Sequence, residues 1–290
     1  MRRRARPLLG TLVEIGVKSD LPDDAFNALV NQAFARVDHI HHCMSFHDPN
    51  SELSQINRLS PGQTMMLSEH TAQVLNSALQ IAQWSGGLFN PGVAPRLVAW
   101  GYSPPPEPRM PACRAVEQLF QIHDRVLTKT ASGWVDLGGI AKGYAVDQAL
   151  AFLRDTASEH PVDGAVVNAG GDLAVFGLPE FPVLIRDPAQ PNQALGTLYL
   201  SDQALATSAC YYSMRLTEGQ TRSALVNPWT LEAVTTARSA SVRAPTCMLA
   251  DALTKVVITS GHINHPWMET LGAKACLLPE PADMIARGLS

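Results

Sequence analysis

Twelve consecutive residues constrain this chain more than any other stretch. Asp136-Leu-Gly-Gly-Ile-Ala-Lys-Gly-Tyr-Ala-Val-Asp147 packs three glycines, a lysine and two carboxylates into a place where a strand runs into a helix. Glycines let a backbone turn tightly and approach a ligand. Free N–H groups at a helix start favour anions, and Lys142 adds a full positive charge. The composition is that of a phosphate cradle. It is neither a Walker A loop nor the dinucleotide fingerprint G-x-G-x-x-G, so its meaning depends on what accompanies it.

The 290 residues, 46% of them hydrophobic, can bury a large core, and residues 1–290 read as one compact unit without repeat, low-complexity tract or linker. A net charge of -4 gives no basic footprint for nucleic acid and no polybasic membrane patch. The one cationic cluster is Arg2, Arg3, Arg4 and Arg6. The apolar run behind it is broken by Gly10 and Thr11 and carries Glu14, unlike a signal peptide. No stretch approaches the roughly 20 apolar residues of a membrane span. A cytoplasmic chain is expected. Its five scattered cysteines read as reduced, mostly buried thiols.

Periodicity predicts a strand over 8–18, a helix from Asp23 to about Met44, and a second helix over 67–85 with Ser68 as N-cap. Residues 96–120 are proline-rich and irregular. Short strands at 125–128 and 133–136 lead into the glycine loop and a helix over 142–155. Gly164 to Gly177 reads as a hairpin around Gly170-Gly171. Strands follow at 181–187, 195–200, 203–207 and 222–226, then a helix at 247–260 and a terminal strand at 273–278. Strands and helices without regular βαβ alternation predict an α+β fold with a mixed, mainly antiparallel sheet and packed helices. His39, His41, His42 and His47 suggest a metal at first sight, but no motif supports one, and a solvated helix surface accounts for them.

Several segments line up in one order: Leu9-Gly-Thr11; Met44-Ser-Phe46 and Ser51-Glu-Leu-Ser-Gln-Ile-Asn57; Gly87-Leu-Phe-Asn-Pro91; the glycine loop; Asn168-Ala-Gly-Gly-Asp172; Ala206-Thr-Ser208; Asn227-Pro228; and Ala250-Asp-Ala-Leu253. In these the chain resembles the ApbE-type FAD:protein FMN transferases over nearly its whole length. The resemblance implies a T-fold-like architecture and an enzyme that binds FAD and Mg²⁺. Such an enzyme cuts the pyrophosphate and joins FMN to a Thr or Ser hydroxyl of an acceptor flavoprotein, releasing AMP. It further implies that Asp136 and Lys142 contact FAD, while Leu9, Phe46, Leu88, Phe89, Asn90 and Leu225 line the nucleotide, with Asn57 and Glu52 nearby. Gly139, Asp251 and Thr254 fall at the metal, and Asp251 and Lys255 are the catalytic candidates.

Three segments depart from the family pattern. Ser223-Ala224-Leu225-Val226-Asn227-Pro228 stands where members commonly carry Ser-His-x-x-Asp-Pro, so a histidine and an aspartate are gone. Asn90 replaces the Asp of a Phe-Asp-Pro segment, and Lys255 stands where a threonine usually follows the aspartate by four residues. Residues i and i+4 share a helix face, so Lys255 points towards Asp251, where its ammonium could neutralise the pyrophosphate or weaken the metal. Loss of the histidine leaves two further readings: an FAD-binding protein without catalysis, and an FAD pyrophosphatase that uses water in place of the acceptor.

Overall fold

The computed structural model describes residues 1–190, 192–217 and 219–278. Its frame is a seven-stranded sheet in the order β1-β2-β6-β7-β10-β13-β14, each neighbouring pair antiparallel. These strands are β1 (Arg2–Leu8), β2 (Thr11–Ser19), β6 (Val162–Ala169), β7 (Asp172–Phe176), β10 (Ala204–Ala209), β13 (Ser239–Ala244) and β14 (Lys274–Leu278). Alternation gives the sheet two apolar faces. Val13, Ile15 and Val17, with Ala165 and Val167, enter the main core, where α1 (Asp23–Met44), α5 (Ala141–Thr156) and α6 (Cys247–Ser260) pack. Val166, Leu173, Val175 and Leu205 point the other way and are covered by a hairpin of β8 (Phe181–Arg186) and β9 (Ala194–Leu200).

The remaining elements surround the helical layer. These are α2 (Glu52–Arg58), α3 (Glu69–Trp84), α4 (Ala94–Ala99), the sheet β3-β5-β4 (Thr64–Met66, Val126–Lys129, Phe120–His123), the ribbon β11–β12 (Arg215–Thr217, Gln220–Arg222) and α7 (Pro266–Thr270). No helix among the described residues is long and apolar enough to cross a membrane.

Two features fix where α5 meets α6. A Cβ on Gly143 would fall 2.2 Å from the Cys247 carbonyl oxygen, so only glycine permits this approach. The Asp147 carboxylate then accepts from the Cys247 and Met248 N–H groups, both at 2.8 Å, satisfying donors that a helix start leaves open. Burial pushes this carboxyl up to about 7, against the lowering effect of those two N–H groups.

The anticipated helices and the Gly170-Gly171 hairpin form with nearly the expected limits. Three local readings are corrected. The 8–18 strand is two strands, because Leu9 (φ 56°) and Gly10 (φ 69°) make a two-residue turn between β1 and β2. Residues 133–136 form no strand: Val135 bonds the Asn57 side chain, and the Asp136 N–H donates to the Pro91 carbonyl at 3.0 Å. The 222–226 strand ends at Arg222, and Val226 makes only an isolated bridge with Ala233.

Candidate active site

The α5–α6 crossing brings four charged side chains together. Asp251, one turn into α6, is fully buried and receives the Lys255 ammonium from the next turn and the Gly143 N–H at 3.1 Å. Lys142 lies 3.8 Å from the same carboxylate and forms its own ion pair with Asp172 at the start of β7. The buried Asp172 also accepts the Thr207 N–H at 3.3 Å. Beside them the Thr254 hydroxyl donates to the Asp251 carbonyl at 2.6 Å and lies 2.6 Å from Ser208 Oγ.

Burial alone would raise the Asp251 carboxyl. Lys142 and Lys255 outweigh it and hold the group below the usual carboxylate range. Lys142 is depressed from the ordinary lysine value, chiefly by burial and further by Lys255, with Asp251 opposing.

The glycine loop forms the adjoining wall. Asn57 is 2% exposed and grips Val135 at both backbone groups, its Nδ2 donating to the carbonyl at 2.9 Å and its Oδ1 accepting the N–H at 2.8 Å. Lys129, buried and with no carboxylate within ion-pair distance among the described residues, donates to the Gly133 carbonyl at 2.7 Å. The Asp136 carboxylate accepts the Gly138 N–H at 2.7 Å, and burial raises its pKa above the usual value.

A cavity of about 320 Å³ opens against this wall, within the range ligand clefts occupy. It gathers Leu88, Phe89, Asn90, Asp136, Gly139, Leu225 and Lys255, all expected from the sequence. Lys142, Asp251 and Thr254 stand behind Lys255. Phe46 is 7% exposed in the neighbouring core, and Leu9 faces a separate groove beside Asp38 and His41. Glu52 serves the fold here, accepting the Ser68 N–H and hydroxyl, both at 2.6 Å, at the start of α3. Sequence reading passed over His47 as a surface histidine, yet it lines the cavity. Its place directly after Phe46 was the available clue.

Of the substituted positions, Asn90 has a local explanation. The Asn90 Oδ1 accepts from Gly92 at 2.9 Å and Val116 at 3.1 Å, while its Nδ2 donates to the Arg114 carbonyl at 3.1 Å. A carboxylate could not make that last bond. The Asn227 Oδ1 accepts the Trp229 N–H at 3.0 Å, a bond that an aspartate would also make. Ala224 lines the cavity and also a cleft of about 930 Å³ on the outer sheet face, so the two spaces meet there.

A divalent cation fits this donor set poorly. Asp251 already takes an ammonium on Oδ1 and an N–H on Oδ2, and the Thr254 oxygen is engaged by Ser208 and by Lys255 at 3.3 Å. Among the described residues, no three His, Cys, Asp or Glu side chains converge as a metal site.

The chain is 26% identical to an FAD:protein FMN transferase of Treponema pallidum, an alignment covering 89% of this chain and 78% of that one. It is 25% identical to an FAD:protein FMN transferase of Vibrio cholerae, over 75% and 69% respectively. In fold it resembles the crystal structure of the ApbE protein from Thermotoga maritima, with a TM-score of 0.81, 23% identity and coverage of 96% and 94%. It also resembles the flavin transferase ApbE from Vibrio cholerae, with a TM-score of 0.77, 22% identity and coverage of 95% and 92%. The ApbE family model matches residues 9–276, from the β1–β2 turn to the last strand of the sheet, and the chain belongs to the ApbE family.

Proposed function

We propose that this chain is an FAD:protein FMN transferase, which cleaves the FAD pyrophosphate and attaches FMN through a phosphoester to a Thr or Ser of an acceptor flavoprotein, releasing AMP. The observation that carries the reading is the buried Asp251 with Lys142 and Lys255 around it, set beside the glycine-loop cavity in a chain of this family. Phosphoryl transfer asks a protein for charge neutralisation and alignment more than for covalent help.

In this reading Leu88, Phe89 and Leu225 give the nucleotide apolar walls, with Phe46 packed behind, while Leu9, expected there from the resemblance, lies in a separate groove and takes no part. Asn90 and Asp136 offer polar edges. Lys255 faces the pyrophosphate with Lys142 behind it, so both add positive charge; Asp251 holds the Lys255 ammonium, and Asp172 pairs with Lys142. The acceptor oxygen bonds to the FMN phosphorus as the bond from that phosphorus to the AMP oxygen breaks. The AMP phosphate keeps the electron pair, and the hydroxyl proton passes to water, because Ala224 stands where the family pattern has histidine. Magnesium, assigned by the resemblance to Gly139, Asp251 and Thr254, enters no step here.

The test is mass spectrometry of a candidate acceptor after incubation with FAD. An added FMN on one Thr or Ser, with acceptor-dependent AMP release, supports transfer. Acceptor-independent AMP release indicates hydrolysis, and no release indicates binding alone.

A further inference from the structure

We infer that the Lys255 ammonium is the resident cation of this site, and that FAD binds here without a divalent metal; this rests on the FAD reading above. The side-chain oxygens of Asp251 and Thr254, which would hold a metal, are already committed to the lysine or to its neighbours. Asp251 Oδ1 accepts the ammonium and Oδ2 accepts the Gly143 N–H at 3.1 Å. Thr254 Oγ1 lies 3.3 Å from Lys255 Nζ and 2.6 Å from Ser208 Oγ. The lysine stem crosses Gly139, where an added Cβ would lie 3.4 Å from Lys255 Cε. Carboxylate and hydroxyl therefore converge on one ammonium, whose stem passes over Gly139.

Charge bookkeeping agrees. Lys142 and Lys255 balance Asp172 and Asp251, so this buried group is neutral before ligand arrives. Both lysines keep some accessibility, 29% and 17% of their side chains, and so can turn part of their charge towards an incoming pyrophosphate. Magnesium needs near-octahedral oxygen ligands at about 2.0–2.1 Å and gives up water reluctantly. To reach Asp251 it would have to displace the ammonium and sit beside Lys142. The order also suits a helix, since an acid one turn before a base at i, i+4 is the favourable arrangement.

The experiment is titration of FAD into the purified full chain, followed by flavin fluorescence, in EDTA and in millimolar magnesium, for the native chain, Lys255→Thr and Lys255→Arg. The inference expects native affinities within about twofold of each other under the two conditions. Lys255→Thr should bind about tenfold more weakly in EDTA, equivalent to about 1.4 kcal/mol, and recover with magnesium. Lys255→Arg, which keeps the charge, should bind in EDTA and so separates lost charge from a damaged fold. Native binding that requires magnesium overturns the inference while leaving the FAD reading intact. Unchanged affinity of Lys255→Thr in EDTA also overturns it. Absence of native FAD binding under both conditions overturns it together with the functional reading.

Discussion

Replacing Asn57 with alanine removes both hydrogen bonds that hold Val135, the residue just before the glycine loop. Val135 is fully buried, so its N–H and C=O gain no water in exchange. An orphaned buried polar group costs about 1–3 kcal/mol, so the pair costs about 2–6 kcal/mol. That is a large fraction of the roughly 5–15 kcal/mol that stabilises a folded protein. At about 2–4 °C per kcal/mol for a chain of roughly this size, a loss near 3 kcal/mol lowers Tm by about 6–12 °C. The contact joins residues 78 apart in sequence, so the effect should reach the site: Asp136 shifts with Val135, and FAD affinity falls. Urea denaturation gives the stability and fluorescence titration gives the affinity. A stability change below about 1 kcal/mol, or a clear destabilisation with unaltered FAD affinity, would refute the positioning role of Asn57.

Gly143→Ala should destabilise by about 1–3 kcal/mol or more, since its methyl group meets the Cys247 carbonyl; thermal melting checks this, and an unchanged Tm contradicts the crossing described above. Ala224→His returns an imidazole to the cavity wall and should raise the FMN transfer rate by about 10²–10⁴-fold, with a new ionisation near pH 6.5 in the rate profile. For Lys129, burial lowers the pKa from 10.5 to about 8, so between those values the unfolded chain binds a proton that the folded chain does not. Stability therefore rises with pH across that window, by about 3 kcal/mol, and Lys129→Met should flatten the rise in denaturation measured at pH 8 and pH 10.

Much of the helical layer was legible because amphipathic periodicity and caps act locally. Ser68 opens α3 by accepting the Thr71 N–H, and the apolar spacing from Phe26 to Met44 is the buried stripe of α1. β1 was hidden by its arginines, whose heads bond Asp23, Asn27 and Asn31 while Arg2 and Arg6 lie over Phe26 and Phe34. The buried run Trp134-Val135 imitates a strand, but a side chain 78 residues away satisfies its backbone, and no local pattern encodes that. The glycine loop and the Asp251–Lys255 pair could be read because both are contiguous in sequence. The Lys142–Asp172 pair depends on the sheet topology and was invisible.

The glycine that lets α5 touch α6 has an evolutionary consequence. Within one helical stretch, Lys142 faces the charge cluster, Gly143 makes the contact and Asp147 caps the partner helix. Changing the chemistry at those positions means dismantling the scaffold. Position 255 lies one turn beyond Asp251 with part of its side chain still reaching solvent, so a different cation strategy can be tried there while the crossing stays intact. Chemical drift in a site of this kind should begin at its rim, where a lysine can come and go, and reach the clamped residues last.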